Sequence, residues 1–370
     1  MIFFTHLKLS GITLKSFFKL KSLQHILFII LIIILYLVVT LSYSSNPDYG
    51  IQKIINIIIS VIPNIIVMFY LLTFTENETI KDCLLTVIII VIILAPIGGF
   101  IFHPFDHSTI YQFSPQRWSH VFVGRLISFL TLIIFFFISA KSYGKIVIYF
   151  TIFIAEVYVT YLTGLISAFL GLILCSFIIF AWFYFQKQLN IKHLFSFILI
   201  IIFTSALILI TPQELNTSSR FSNMLKVQNL EFDGDGAILS RMDSYTLSWQ
   251  MFIEKPILGR GFGSFSGFNN IKWTSIQKYP HNLFLEILSE LGIAGLAFFA
   301  GIFLLIIKGI LKNQFKPGRK GAKFLIPGSS SIIILFLFSL WHAMWAKDIS
   351  TQGFLWLFIV FAGIEDKSKN

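Results

Sequence analysis

This sequence predicts an all-α, polytopic membrane protein of roughly ten to twelve spans, with one large helical loop at the outer face. Three observations predict it. First, the 370 residues are 56% hydrophobic and only 12% charged, with a mean hydropathy of +0.84, whereas soluble domains carry roughly a quarter charged residues. Second, runs such as Ile26–Val39 and Leu84–Ile93 are too long and too apolar for the core helices of a soluble protein. A span needs ~20 apolar residues whose backbone polar groups are satisfied within the segment. Third, one polar island from Thr211 to His281 interrupts the apolar chain.

Ten spans can be bounded, at about 24–43, 54–74, 83–102, 120–139, 145–162, 164–185, 194–211, 290–311, 324–345 and 349–365. The organisation is a transmembrane bundle over 1–211, a large loop over 212–281 and further spans over 282–370. Positive charge concentrates on cytoplasmic loops of membrane proteins. Lys8, Lys15, Lys19 and Lys21 therefore place the N-terminus inside. Alternation then puts Lys141 and Lys145, Lys187 and Lys192, the cluster Lys308–Lys323, and Lys367 and Lys369 inside as well. Only the acidic loop Glu76–Asp82 disagrees, and acids weigh little in this rule. Both termini are expected in the cytoplasm. The island, the 103–119 loop and the 162–164 turn share the outer face.

The net charge of +11 does not indicate nucleic acid, because the positives sit between spans and suit an anionic leaflet. The 43 phenylalanines suit lipid-facing helix surfaces. Cys83 and Cys175, in or beside apolar runs, imply neither a disulfide nor a metal site. The basic N-terminal stretch has no cleavage signature after the first apolar core and reads as an uncleaved anchor.

Within the island, Asp233–Gly236 (DGDG) is a turn cluster without the further ligands of a calcium loop. Ser240–Ile253 has helical periodicity with Ser240 as a plausible N-cap. Pro256–Phe265 (PILGRGFGSF) is a glycine-punctuated turn, with neither the strand nor the lysine–hydroxyl pair of a nucleotide loop. His281 opens an amphipathic helix, where the helix dipole lowers its pKa and favours anions nearby. A neutral imidazole suits a general base; the alternative is an interfacial His capping the helix. Arg241, Arg260, Arg117 and Arg125 lie on the same face, each a planar fork suited to phosphate. Singly, each more readily fits a lipid headgroup or a local acid such as Asp243. Glu156, inside an apolar run, implies a cavity, a partner such as Arg125, or a protonated side chain. His103, His107 and His120 lack the companions of a metal site beyond Asp106.

Taken together, Arg241, Tyr245, Pro256–Phe265, His281–Leu285 (HNLFL) and Glu290–Leu296 (ELGIAGL) resemble the O-antigen ligase/polymerase family of bacterial membrane glycosyltransferases. The likeness covers some sixty residues in detail and the remainder only in topology. It implies a bacterial inner-membrane enzyme that takes a glycan from an undecaprenyl diphosphate carrier and joins it to a sugar hydroxyl. The acceptor would be lipid A–core, or a growing glycan. His281 would deprotonate or orient the hydroxyl and Arg241 would bind the diphosphate, with Asn282, Arg260 and a first-loop arginine (Arg117 or Arg125) as further contacts. Neither metal nor cofactor is implied, and direct displacement would invert the anomeric carbon. Where many members carry T-x-S-R-G, this chain has Thr163–Ser167 without an arginine, so an anion contact is missing or supplied elsewhere, as by Arg260.

Ligation of a finished glycan and polymerisation of repeat units are both compatible with these residues, and the compact HN-x-x-L box favours the ligase. A flippase or transporter is the remaining class, but the inverted repeats and broken midplane helices of many transporters are not evident.

Overall fold

The computed structural model describes residues 14–74, 236–268, 279–312, 329–345 and 349–363, with a few isolated helical positions between 171 and 206. The spans expected between residues 83 and 211 fall outside the described residues, apart from those isolated positions, as do Arg117, Arg125, Glu156 and the histidines His103, His107 and His120. Regular structure among the described residues is helical, with no strand. The chain divides into two compact units, one of residues 1–76, 237–316 and 343–370, the other of 77–236 and 317–342. Three described helices are long and apolar enough to cross a membrane: Lys21–Leu41, Pro47–Tyr70 and Leu283–Lys312. The protein is thus a helical membrane protein with several spans.

In the first unit, α1 (Leu14–Phe18) leads into α2 (Lys21–Leu41). α2 is apolar all round, so its periodicity appears in packing rather than in polarity. Leu23, Ile26, Ile30, Ile33, Leu37 and Thr40 form its buried seam, spaced three and four apart as in knobs-into-holes packing. Phe28, Leu31, Leu35, Val38 and Val39 stay exposed on the opposite side, the surface a span offers to lipid.

The second span begins earlier than the apolar run suggests. α3 (Pro47–Asn56) starts at Pro47, and the Asn46 side chain accepts from the Tyr49 N–H at 3.2 Å. Pro at the first turn and Asn as N-cap are favoured helix starts. That start brings Lys53 inside the helix, where it is 1% exposed. Helix α3 passes through a π-helical stretch, Ile57–Val61, into α4 (Ile62–Phe74). Pro63 explains the π stretch, since it has no N–H and crowds the carbonyl four residues back. The Ser60 hydroxyl donates to the Asn56 carbonyl, and Asn64 Nδ2 to the Ser60 carbonyl at 2.7 Å.

The island contributes α5 (Gly236–Glu254) and the short α6 (Phe265–Phe268). Helix α5 begins a turn before the expected start, so Ser240 lies inside it rather than capping it; Ala237, Ile238 and Leu239 carry the helix back to Gly236. α7 (Leu283–Lys312) follows, then α8 (Ser329–Ala343), which lies almost wholly in the second unit. The run expected as one span over 349–365 is broken into a 3₁₀ turn (Ile349–Thr351), α9 (Gly353–Leu357) and α10 (Ile359–Gly363). Tight three-residue bonds at Phe358 and Phe361, of 3.2 and 3.0 Å, mark the join. α10 packs on α2, α4 and α7, and the 3₁₀ turn packs on α3.

α7 is two helical pieces rather than one, because Gly292 within it has φ 66° and ψ −163°. Only glycine populates that region readily. A Cβ there would also meet the Ile257 carbonyl oxygen at 2.4 Å and the Gly259 nitrogen at 2.6 Å. Gly292→Ala is therefore expected to cost on the order of 1–3 kcal/mol in backbone strain before any clash is counted. Thermal unfolding of the purified full chain should show a lowered midpoint, and an unchanged midpoint would contradict the break as described.

Candidate active site

The break at Gly292 frees backbone groups on both sides, and the glycine turn takes them up. Past the break, the Ile293 and Ala294 N–H groups donate to the Pro256 and Ile257 carbonyls at 2.9 and 3.0 Å. Before it, the Ser289 and Glu290 carbonyls accept from the Arg260 and Gly261 N–H groups at 3.2 and 2.7 Å. Four backbone bonds thus lay Pro256–Gly261 against the kink. Gly259, Gly261 and Gly263 all have positive φ, and a Cβ on Gly259 would strike the Glu290 carbonyl carbon at 2.4 Å. The expected glycine-punctuated turn is present, and its glycines serve close backbone approach.

Beneath the turn lies a buried ion cluster. Lys53 Nζ donates to Glu286, and to Glu290 Oε2 at 2.9 Å. Glu286 and Glu290 are one helical turn apart on α7, and all three residues are 2% exposed or less. Glu290 also accepts from the Gly263 N–H at 2.9 Å and the Phe265 N–H at 3.2 Å. Glu286 Oε2 accepts from the Ile349 N–H at 2.9 Å. The Lys53 ammonium sits 4.2 Å from the Phe262 ring centroid, within cation–π range. Every carboxylate oxygen in the cluster has a donor, which is the condition for burying such charges.

Above the cluster is the head of α7. Asn282 caps it, its Oδ1 accepting from the Phe284 and Leu285 N–H groups at 2.9 and 3.2 Å. His281 precedes that cap, with φ 57°, the one non-glycine residue of positive φ among the described residues. Its ring meets Tyr279 edge-on, with centroids 4.5 Å apart, and it is half-buried. So the capping role falls to Asn282, and the imidazole is carried just outside the first turn.

Arg241 and Tyr245 stand one turn apart on α5. Burial raises the Tyr245 phenol above its ordinary value, and the nearby Arg241 charge partly offsets this. Ser244, Leu247, Ser248 and Met251 form the buried side of α5, and Leu247 and Met251 meet Phe265 and Phe268 in a small apolar cluster. That cluster ties the arginine helix to the glycine turn. Arg260 pairs with Glu254 and lies 4.2 Å over the Phe268 ring, while its Nε is buried with no partner among the described residues. The structure thus brings α5, the glycine turn and the head of α7 together as one assembly carrying Arg241, Arg260, His281 and Asn282.

Sequence reasoning missed Lys53 and Glu286, and quoted Glu290 without a role. A signal was available: two acids four residues apart on an apolar helix need a buried cation, and Lys53 stands at the edge of an apolar run.

Span composition and this assembly define a helical membrane protein with a structured polar site on one apolar helix bundle. Residues 148–300 match the family model described as O-antigen ligase, and this stretch includes Arg241, Arg260, His281 and Asn282 but not Arg117, Arg125 or Lys53. A Rickettsia conorii protein provisionally named a polysaccharide ligase is 30% identical over 106 residues, covering 26% of this chain and 26% of that protein. The chain therefore aligns with about a quarter of that relative's length.

Glu290→Ala would leave two buried N–H groups without their acceptor and Lys53 with a single carboxylate. Breaking a buried pair from one side costs about 3–5 kcal/mol. Limited proteolysis of the membrane-embedded chain should then cut within Pro256–Phe268, where the parent resists. Equal resistance in both proteins would show that the cluster does not hold the turn.

Proposed function

We propose that this chain is a ligase-type glycosyltransferase of the bacterial inner membrane, with both termini cytoplasmic and the site at the periplasmic face. It moves a glycan from undecaprenyl diphosphate to a sugar hydroxyl of lipid A–core. His281 is the base that takes up or orients the acceptor proton. Arg241 neutralises the departing diphosphate, assisted by Arg260 and by Arg117 or Arg125. Because the leaving group is already a diphosphate, positioned guanidinium groups can stabilise its developing charge without a metal. Direct displacement inverts the anomeric carbon. The Asn282 side-chain oxygen is engaged in the helix cap, so its part in the reaction is to donate to the substrate from its side-chain amide N–H groups.

The observation that carries this reading is the docking of the glycine turn on the α7 break. It makes one folded unit of motif residues 29 to 37 positions apart, with a histidine in left-handed backbone geometry just before the helix head. Such geometry recurs at functional sites. The ligase description of the matched family and the ligase name of the Rickettsia relative favour ligation over polymerisation.

Deletion of the gene should strand long glycan chains on the carrier and leave core lipid bare. A single repeat unit on the core would instead identify a polymerase, and unchanged pools would sink both readings. His281→Ala should lower transfer by about a hundredfold or more, the usual range for losing a general base, at unchanged protein level. Near-parental transfer would return His281 to a structural role.

A further inference from the structure

We infer that Lys53, at the start of the second span, is a positioning residue for the acceptor half of the site. It acts through Glu286 on the helix head that carries His281. The inference rests on the function proposed above.

The geometry gives Lys53 two attachments with different consequences. Through Glu290 it reaches the glycine turn, but Glu290 also holds the Gly263 and Phe265 N–H groups directly, and four backbone bonds dock Pro256–Gly261 independently. The turn therefore has anchors that do not pass through the lysine. The head of α7 shares those bonds at its far end, Ser289 and Glu290, but the turn nearest His281 is held in addition through Glu286. Residues 283–291 are cut off from the rest of the span by the Gly292 break, so the rigidity of the span does not reach them through continuous helix. Glu286 is on this short piece, its N–H donating to the Asn282 carbonyl at 2.9 Å. Its carboxylate ties the piece to the second span through Lys53 and to the 3₁₀ turn through the Ile349 N–H. His281 is one residue before Asn282, so its height and azimuth follow from where Glu286 is pinned. Arg241 stands on α5, which reaches the turn through Leu247, Met251 and Phe265 and not through Lys53.

Loss of the lysine link should consequently disturb the base more than the diphosphate site. A displacement of about 1 Å in a catalytic group costs on the order of a hundredfold in rate, while binding of a donor held elsewhere changes little.

Lys53→Met alone strands two buried carboxylates and is expected to reduce the amount of folded protein. The decisive variant is Lys53→Met/Glu286→Gln, which removes one positive and one negative charge together and leaves the net charge of the cluster as it was. Glu290 keeps its backbone partners in that variant. The double variant still takes the cation from Glu290, so it should melt below the parent, though less so than Lys53→Met alone, and transfer is read per folded chain. In proteoliposomes, with carrier-linked glycan extracted from the deletion strain as donor and its core lipid as acceptor, kcat should fall at least about tenfold while donor KM stays within about threefold. An unchanged kcat overturns the inference. So does a loss of rate that merely tracks the loss of folded chain, or a donor KM that rises with kcat intact.

A second measurement does not depend on turnover. Asp48 is exposed at the start of α3, and Leu288 is partly exposed on the head of α7. In a background with Cys83 and Cys175 replaced by Ser, spin labels at Asp48→Cys and Leu288→Cys should give a narrow distance distribution in the parent and a broad one in the double variant. Equal widths overturn the positioning role even if no transfer is detected with these substrates, a result that would count against the proposed function instead.

Discussion

A lysine ammonium shared by two carboxylates, inside a protein whose surroundings are hydrocarbon, sets the terms for the described part of this molecule. Withdrawing three charged groups from water is costly, and their mutual attraction offsets that cost only if the remaining lone pairs are met. Here they are met by backbone N–H groups from three separate places: the glycine turn, α6 and the 3₁₀ turn before the last span. Each donor is a segment that must be in position before the charges can be buried. The cluster is thus less a source of net stability than a demand for register. The second span, the head of α7, the turn and the last broken span must arrive together or leave a charge unpaired.

The same demand explains why α7 is broken where it is. An unbroken helix at Gly292 would use the carbonyls of Ser289 and Glu290 internally and leave the turn nothing to dock on. The break turns four intrahelical groups outward, and the turn offers two donors and two acceptors in complementary order. Glycine is needed on both surfaces, at Gly292 for its dihedral angles and at Gly259 for approach to the Glu290 backbone. Glu290 contributes twice, its carbonyl holding Gly261 and its carboxylate holding Gly263 and Phe265. One residue fastens the turn from two directions, which gives a physical meaning to an acid two positions before a glycine in that motif.

How much of this was legible follows from what each signal is made of. The helical membrane class was legible because hydrocarbon imposes it on composition. The turn was legible because its glycines are unusual, and its match to a family pattern tied it to His281. The start of the second span was misplaced because hydropathy sees apolar side chains, whereas the Asn46–Pro47 cap and Lys53 are polar and precede the apolar run. The last span reads as continuous, since nothing in its side chains signals the backbone break near Phe358. Ser240 looked like a cap because its type is right, but the residues before it are good helix formers and extend the helix to Gly236. The ion cluster needs pairing across more than two hundred residues, which periodicity cannot supply; only the burial demand of two acids on one apolar face pointed to it.

The anchoring of the two halves of the proposed site is unequal, and this bears on how the reaction would be divided between them. The turn and the head of α7 are fixed by backbone bonds and a buried ion cluster, both with strict geometry. The arginine helix reaches them through Leu247, Met251, Phe265 and Phe268, apolar contacts that have no direction, and at its last residue through the Glu254–Arg260 ion pair. A base must lie within hydrogen-bond reach of one proton. A diphosphate, by contrast, spreads its charge over several oxygens that guanidinium groups can meet from a range of angles. Rigid support beneath the histidine and looser support beneath the arginine are what those two tasks separately require.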